Sequence, residues 1–148
     1  NFGFSDASKE LPAQIVFGNI GATSIVSSSE QSNTILKVEA LDLFANENSL
    51  EGISFIKIDV EGHEHSVLVG AEDTLKKENA VVSLELEMTN YYENCIKSIN
   101  FLQSCGYSEA YFLKNSFSGA ISSNFKKTSI DNFLKLPRKR HKMVLFTK

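Results

Sequence analysis

The sequence predicts an α/β domain, and three features of one stretch predict it. That stretch is residues 53–87, ISFIKIDVEGHEHSVLVGAEDTLKKENAVVSLELE. Residues 54–58 are a short β-prone run carrying Phe55, Ile56 and Ile58, which reads as a buried strand. Val67, Leu68, Ala71 and Leu75 then recur at the spacing of one helical face. Residues 80–86 read as a second buried strand, ending in Glu85 and Glu87. Strand, acidic turn, helix and strand make a βαβ unit, and its crossover is expected to be right-handed.

The other elements follow in chain order. Residues 1–5 read as the end of a strand, because Phe2 and Phe4 alternate with Gly3 and Ser5. Asp6 and Ser8 suit a turn. Residues 15–17 are a candidate short strand. Residues 18–22, GNIGA, look like a nucleotide-binding glycine loop, but such a loop follows a strand and opens a helix. The segment after it is β-branched and Ser-rich, so a surface loop is expected, as it is for the polar residues 27–33. Residues 35–39 alternate like a strand, and 41–44 begin a short helix that fades over 46–49. Thr89 or Asn90 is expected to cap a helix over 92–104. Its apolar face is Tyr92, Ile96, Ile99, Leu102 and Cys105, and Gly106 ends it. Residues 107–113 read as an aromatic-rich strand and 115–124 as a loop. Residues 130–136 make one or two helical turns stopped by Pro137, and 142–147 form the last strand.

At 148 residues, 42% of them hydrophobic, the chain suffices for one domain with a sizeable core, read as 1–148. A net charge of −3 gives no general pull towards nucleic acid or an anionic membrane, so neither is expected as a partner. No apolar run approaches the roughly 18–20 residues of a membrane span. No signal peptide is visible; Asn1 opens the chain mid-pattern. Cys95 and Cys105 fall in one predicted helix, about 15 Å apart by helical rise, too far to bond within it. Buried reduced thiols and a cytoplasmic location are expected. The basic run Arg138, Lys139, Arg140, His141 and Lys142 reads as a solvated turn, with a phosphate contact as the alternative.

Ligands of open α/β sheets bind beyond the carboxyl ends of strands, where Asp59, Glu61 and His63 fall. Adjacent carboxylates repel when both are ionised, so Asp59 and Glu61 call for a nearby cation or a raised pKa. Placement near a helix N-terminus is the structural alternative. His63 is the better placed general base, since an unperturbed imidazole titrates near pH 6.5. His65, two residues on, is off that face and is read as structural. Glu85 ends the next strand and either orients a substrate hydroxyl or caps the following helix.

KIDVEGHE, then VLVGAEDTL, then VSLELE together resemble the FkbM family of S-adenosylmethionine-dependent methyltransferases. Weaker likeness extends to FSD near the start, VEALDLF before the motif and MVLF at the end. The resemblance implies a class I methyltransferase (Rossmann-like) sheet, mostly parallel with an antiparallel last strand, in which Asp59 ends the fourth strand. The family's glycine-rich cofactor loop, and the acid ending its second strand, would lie before Asn1. The chain therefore reads as the C-terminal two-thirds of that fold, N-terminally incomplete, and is expected to bind the cofactor poorly by itself. The implied activity is methyl transfer from S-adenosylmethionine to a small-molecule hydroxyl, on a sugar or a secondary metabolite. Asp59, Glu61, His63 and Glu85 would then serve catalysis, and Asp6 and Asp59 the cofactor. A non-catalytic remnant or partner-binding module is the alternative, and a metal-dependent enzyme using Asp59 and Glu61 is a third reading. The fourth strand of that sheet normally pairs with the first. The edge of 54–58 is therefore expected to be open, and covered by a second copy, by 15–17 or by 35–39.

Overall fold

The structure, a computed structural model, describes residues 2–15, 24–26, 32–60, 62–113, 125–137 and 140–148. Glu61, Arg138, Lys139, the predicted loops at 18–22 and 115–124, and most of the segments at 15–17 and 27–33 lie outside the described residues.

Two sheets form. The first contains β1 (Gly3–Phe4), β2 (Lys9–Gln14), β3 (Ser24–Ile25) and β4 (Thr34–Glu39), in the order β1-β4-β2-β3. The second contains β5 (Phe55–Ile58), β6 (Val81–Glu87), β7 (Glu109–Leu113), β8 (Phe125–Ser129) and β9 (Arg140–Thr147), in the order β5-β6-β9-β7-β8. The helices are α1 (Leu41–Glu47), α2 (Glu64–Val69), α3 (Glu72–Lys77), α4 (Tyr92–Ser104) and α5 (Ile130–Phe133).

The arrangement is mixed α/β: the last strand is antiparallel to its neighbours as expected, but the strands divide between two sheets rather than forming one mostly parallel sheet. Only β1–β4 and β5–β6 are parallel ladders; the others described are antiparallel. β9 opposes both β6 and β7, so β5, β6 and β7 run one way and β8 and β9 the other. Three strands were not expected: β2, β8 and the two-residue β3, which falls where a surface loop was expected. β8 reads FKKTS, and its lysines suit an exposed edge strand rather than an apolar one. β2 contains Pro12, which argues against a strand. The Pro12 carbonyl accepts from Val26 N–H, on the β3 side. In a strand the N–H and C=O of one residue point the same way, so the missing N–H of Pro12 takes nothing from the β2–β4 ladder.

The main core is built on the second sheet. Leu68, Leu75, Val82, Leu84, Ile99, Leu102, Val144 and Phe146 are fully buried. The predicted face Val67, Leu68, Ala71 and Leu75 is buried, but across two short helices rather than one. The break falls at Gly70 and Ala71. Gly70 lies so close to the end of β1 that a Cβ there would stand 1.9 Å from the Ser5 carbonyl oxygen. Its own carbonyl accepts from Asp42 N–H at the start of α1. α2 packs against α4, and the Tyr107 hydroxyl donates to the Ala80 carbonyl, tying the end of α4 to the start of β6. Thr89 and Asn90 do not cap α4. Its first flanking residue is Tyr91, and the preceding turn is held by the Glu87 carboxylate, which accepts from the Thr89 N–H and hydroxyl. β5 is less buried than expected: Phe55 is 54% exposed, and among the described residues β5 pairs only with β6. Residues 35–39 lie in the other sheet and do not cover that edge.

Candidate active site

The parallel β5–β6 ladder ends at Ile58 opposite Leu84. Asp59 and Glu85 are therefore the next residues at the carboxyl ends of two adjacent parallel strands. Both line one hollow, together with Gly62, Glu64, Glu87, Tyr91 and Cys95. The β6–β9 register shifts between Leu84 and Leu86, so Glu85 sits at a bulge, a device that re-aims side chains beside sites. The hollow is tight, with a volume of about 10 Å³ for water-sized centres, room for about one water.

Glu64 is the buried acid of the group, at 6% exposure. Its Oε1 accepts from Gly62 N–H at 3.0 Å and its Oε2 from Asn94 Nδ2 at 3.3 Å. Asn94 also donates to the Gly62 carbonyl at 2.7 Å, so α4 clamps the turn and the carboxylate together. Gly62 has φ +94°, and a Cβ there would meet the Tyr91 ring at 3.4 Å, so the turn calls for glycine. Cys95 has its thiol pushed up to about 11, by burial first and then by the charge of Glu64. It stays protonated near neutrality and does not serve as a nucleophile.

Asp59 has a cationic neighbour within the protein. Lys57 Nζ lies 2.8 Å from Asp59 Oδ2, the two side chains sharing one face by strand alternation.

His63 belongs to a second group. It precedes α2, and its Nε2 lies 2.9 Å from the Ser5 hydroxyl. Ser5 Oγ donates to Asp6 Oδ1 at 2.7 Å, and Lys9 Nζ donates to the same oxygen at 2.7 Å. These donors hold the Asp6 carboxyl down at about 2, the Lys9 ammonium more than the Ser5 hydroxyl. His63 is shifted below its ordinary value, by burial first, while Asp6 acts upward and Lys9 downward. His65 packs edge-on against Phe101 of α4, 5.8 Å between centroids, and lines neither group.

The sequence-predicted residues thus fall into two sets. Asp59 and Glu85 share the hollow; Asp6 and His63 are joined through Ser5; Glu61 lies outside the described residues. Sequence reasoning gave no role to Ser5 or Asn94. Gly70, a glycine inside a helical pattern, was the available signal for Ser5, because it marks a close backbone approach. Among the described residues no three His, Cys, Asp or Glu side chains are grouped to hold a metal ion. Among them, too, no helix is long and apolar enough to cross a membrane.

A family model described as the methyltransferase FkbM domain matches residues 5–109, which include both sets. No curated protein and no solved structure matches the chain.

Proposed function

The chain belongs to the FkbM family of methyltransferases, and from that membership we propose that it serves S-adenosylmethionine-dependent O-methylation of a small hydroxyl compound, a sugar or a secondary metabolite. The observation that carries the reading is the pairing of Asp59 with Glu85 at the carboxyl ends of β5 and β6. Ligands of α/β sheets bind there.

The donor set fits the charged end of the cofactor. Asp59 after β5, Glu85 and Glu87 of β6 and Glu64 of α2 line one small hollow, and a cluster of carboxylates attracts a positive group. Asp59 would face the sulfonium side and Asp6 the adenine, with the class I methyltransferase fold as the frame. When bound, the cofactor supplies a methyl group already activated by its sulfonium charge. The protein's own task is alignment and proton removal. Glu85 would orient a second hydroxyl of the acceptor, and Glu61 would add charge at the turn. His63, kept neutral by burial and lying outside the hollow, would take the proton of the hydroxyl that is methylated, on its own side of the turn. Two buried free thiols suit a reducing, cytoplasmic setting. The open edge of β5, with Phe55 exposed, would pair with a second copy. Sedimentation equilibrium before and after Phe55→Lys checks this; a monomer at tens of micromolar before the change rules it out.

The test of the function is transfer of a radiolabelled methyl group by the protein as encoded, over a panel of sugars and small alcohols with the product identified. Transfer to nitrogen or carbon alone would overturn the O-methylation reading. A module that binds without turnover is favoured by the tightness of the hollow. No cofactor binding by calorimetry together with no transfer to any acceptor would establish it.

A further inference from the structure

The contacts of His63 say which of its nitrogens carries the proton. Asp6 Oδ1 accepts from Lys9 Nζ, and a carboxylate so paired stays ionised and only accepts. Ser5 has one hydroxyl proton, and it goes to that same oxygen at 2.7 Å. The remaining 2.9 Å contact between Ser5 Oγ and His63 Nε2 then needs its proton from the imidazole. Nε2 is the protonated nitrogen, and the lone pair falls to Nδ1. The Ser5 backbone is held in place. The residue is fully buried, its N–H donates to the Glu39 carbonyl at 2.9 Å, and its own carbonyl lies against Gly70.

We propose that Ser5 is a positioning residue for His63, coupling the Asp6 carboxylate to Nε2–H and leaving Nδ1 as the atom that takes the acceptor's proton. The use of Nδ1 rests on the methyltransferase reading; the arrangement of protons does not. As Nδ1 takes the hydroxyl proton, the O–H electron pair stays on the oxygen. The Nε2–H bond to Ser5 becomes charge-assisted, and Asp6 balances the new charge through the serine. The charged groups acting on the ring are Asp6, which favours imidazolium, and Lys9, which opposes it.

The experiment is long-range ¹H–¹⁵N NMR of the imidazoles in the ¹⁵N-labelled chain, with His63 assigned through His63→Gln. Near neutral pH, His63 is expected to show a protonated Nε2 and a lone-pair Nδ1. Ser5→Ala and, separately, the partly exposed Asp6→Asn are expected to weaken that preference. Each should also lower the His63 midpoint by at least ~0.5 unit, since each removes support for the charged ring. A lone pair on Nε2 in the unsubstituted chain would overturn the proposal, because Ser5 would then donate to the histidine. So would a tautomer and midpoint unmoved by both substitutions. Where transfer is measured, the acid limb of kcat should move to lower pH in Ser5→Ala, a shift that a merely structural serine would not produce. The expected tautomer with no methyl transfer would overturn the function and leave the positioning; transfer with the opposite tautomer would do the reverse.

Discussion

His63 and Glu64 are neighbours in sequence and face two differently built surroundings. On the His63 side, Ser5, Asp6 and Lys9 form a closed chain of hydrogen bonds between β1 and α2, with a lysine answering the one carboxylate. On the Glu64 side, carboxylates from three elements line a hollow, and among the described residues no lysine or arginine lines it with them. Glu64 is held there by a backbone N–H and an amide, neither carrying charge. The first region is satisfied on the Nε2 side of His63, a joint that fixes the ring in one orientation. The second gathers Asp59, Glu64, Glu85 and Glu87 around one hollow, and of these Asp59 is paired with Lys57. The two side chains part just after the Gly62 turn, whose backbone is left-handed.

The largest effect is expected from breaking the joint. Gly70→Ala sets a methyl 1.9 Å from the Ser5 carbonyl oxygen, a backbone atom that no rotamer change relieves. A loss of about 3 kcal/mol is expected in denaturant melts, near the top of the usual overpacking range. For a chain of this length that lowers Tm by roughly 6–12 °C. A loss under about 1 kcal/mol would mean that the end of β1 shifts at little cost, and the rigid joint would be lost as an idea.

In the hollow, function and stability should come apart. Asp59 is partly exposed and paired with Lys57, so Asp59→Asn is expected to leave stability within about 0.5 kcal/mol. Turnover should fall on the order of 10²-fold, or Glu61→Gln should produce that loss in its place. Near-normal rates in both variants would return these acids to a helix-start role.

Glu64 should behave in between. Glu64→Ala leaves the Gly62 N–H and the Asn94 amide without their acceptor, for about 2 kcal/mol in a thermal or urea melt. Glu64→Gln keeps one acceptor oxygen and should recover part of that loss. Equal losses in the two would show that the charge, rather than the hydrogen bonds, holds the turn.

How much of this was legible depends on what each residue leaves in the pattern. The βαβ unit could be read because its apolar residues recur at strand and helix periods, and α4 took the bounds its periodicity gave. The meeting of Asp59 and Glu85 followed from their positions at adjacent strand ends. The Lys57 pairing was open to the alternation rule. β2 was hidden by Pro12, whose harmlessness depends on which edge its nitrogen faces. β8 was hidden by lysines that mark an edge rather than a core. Ser5 left no trace, because a small polar residue has no period, and its burial comes from Gly70 sixty-five positions later. The separation of His63 from the hollow depends on backbone geometry at the start of α2, which a sequence pattern does not carry.

The smallest effect tests the joint from its charged end. The folded pKa of Asp6 is depressed from 3.8 to about 2, chiefly by Lys9 and then by Ser5. A depressed carboxylate contributes stability that is fully present above its unfolded value and is lost as pH falls through the folded one. The window therefore runs from roughly pH 4 down to roughly pH 2. The Asp6 side chain is 37% exposed, so solvent screening cuts the contribution well below what the shift alone implies, to under about 1 kcal/mol. Urea midpoints followed from pH 5 to pH 2 should fall less steeply in Asp6→Asn than in the unsubstituted chain. Lys9→Gln should flatten the slope as well, since it removes the larger cause, and should leave the Ser5 bond in place. If Lys9→Gln leaves the acid slope unchanged, the serine side of the chain holds Asp6, and the lysine is a surface partner without consequence for His63.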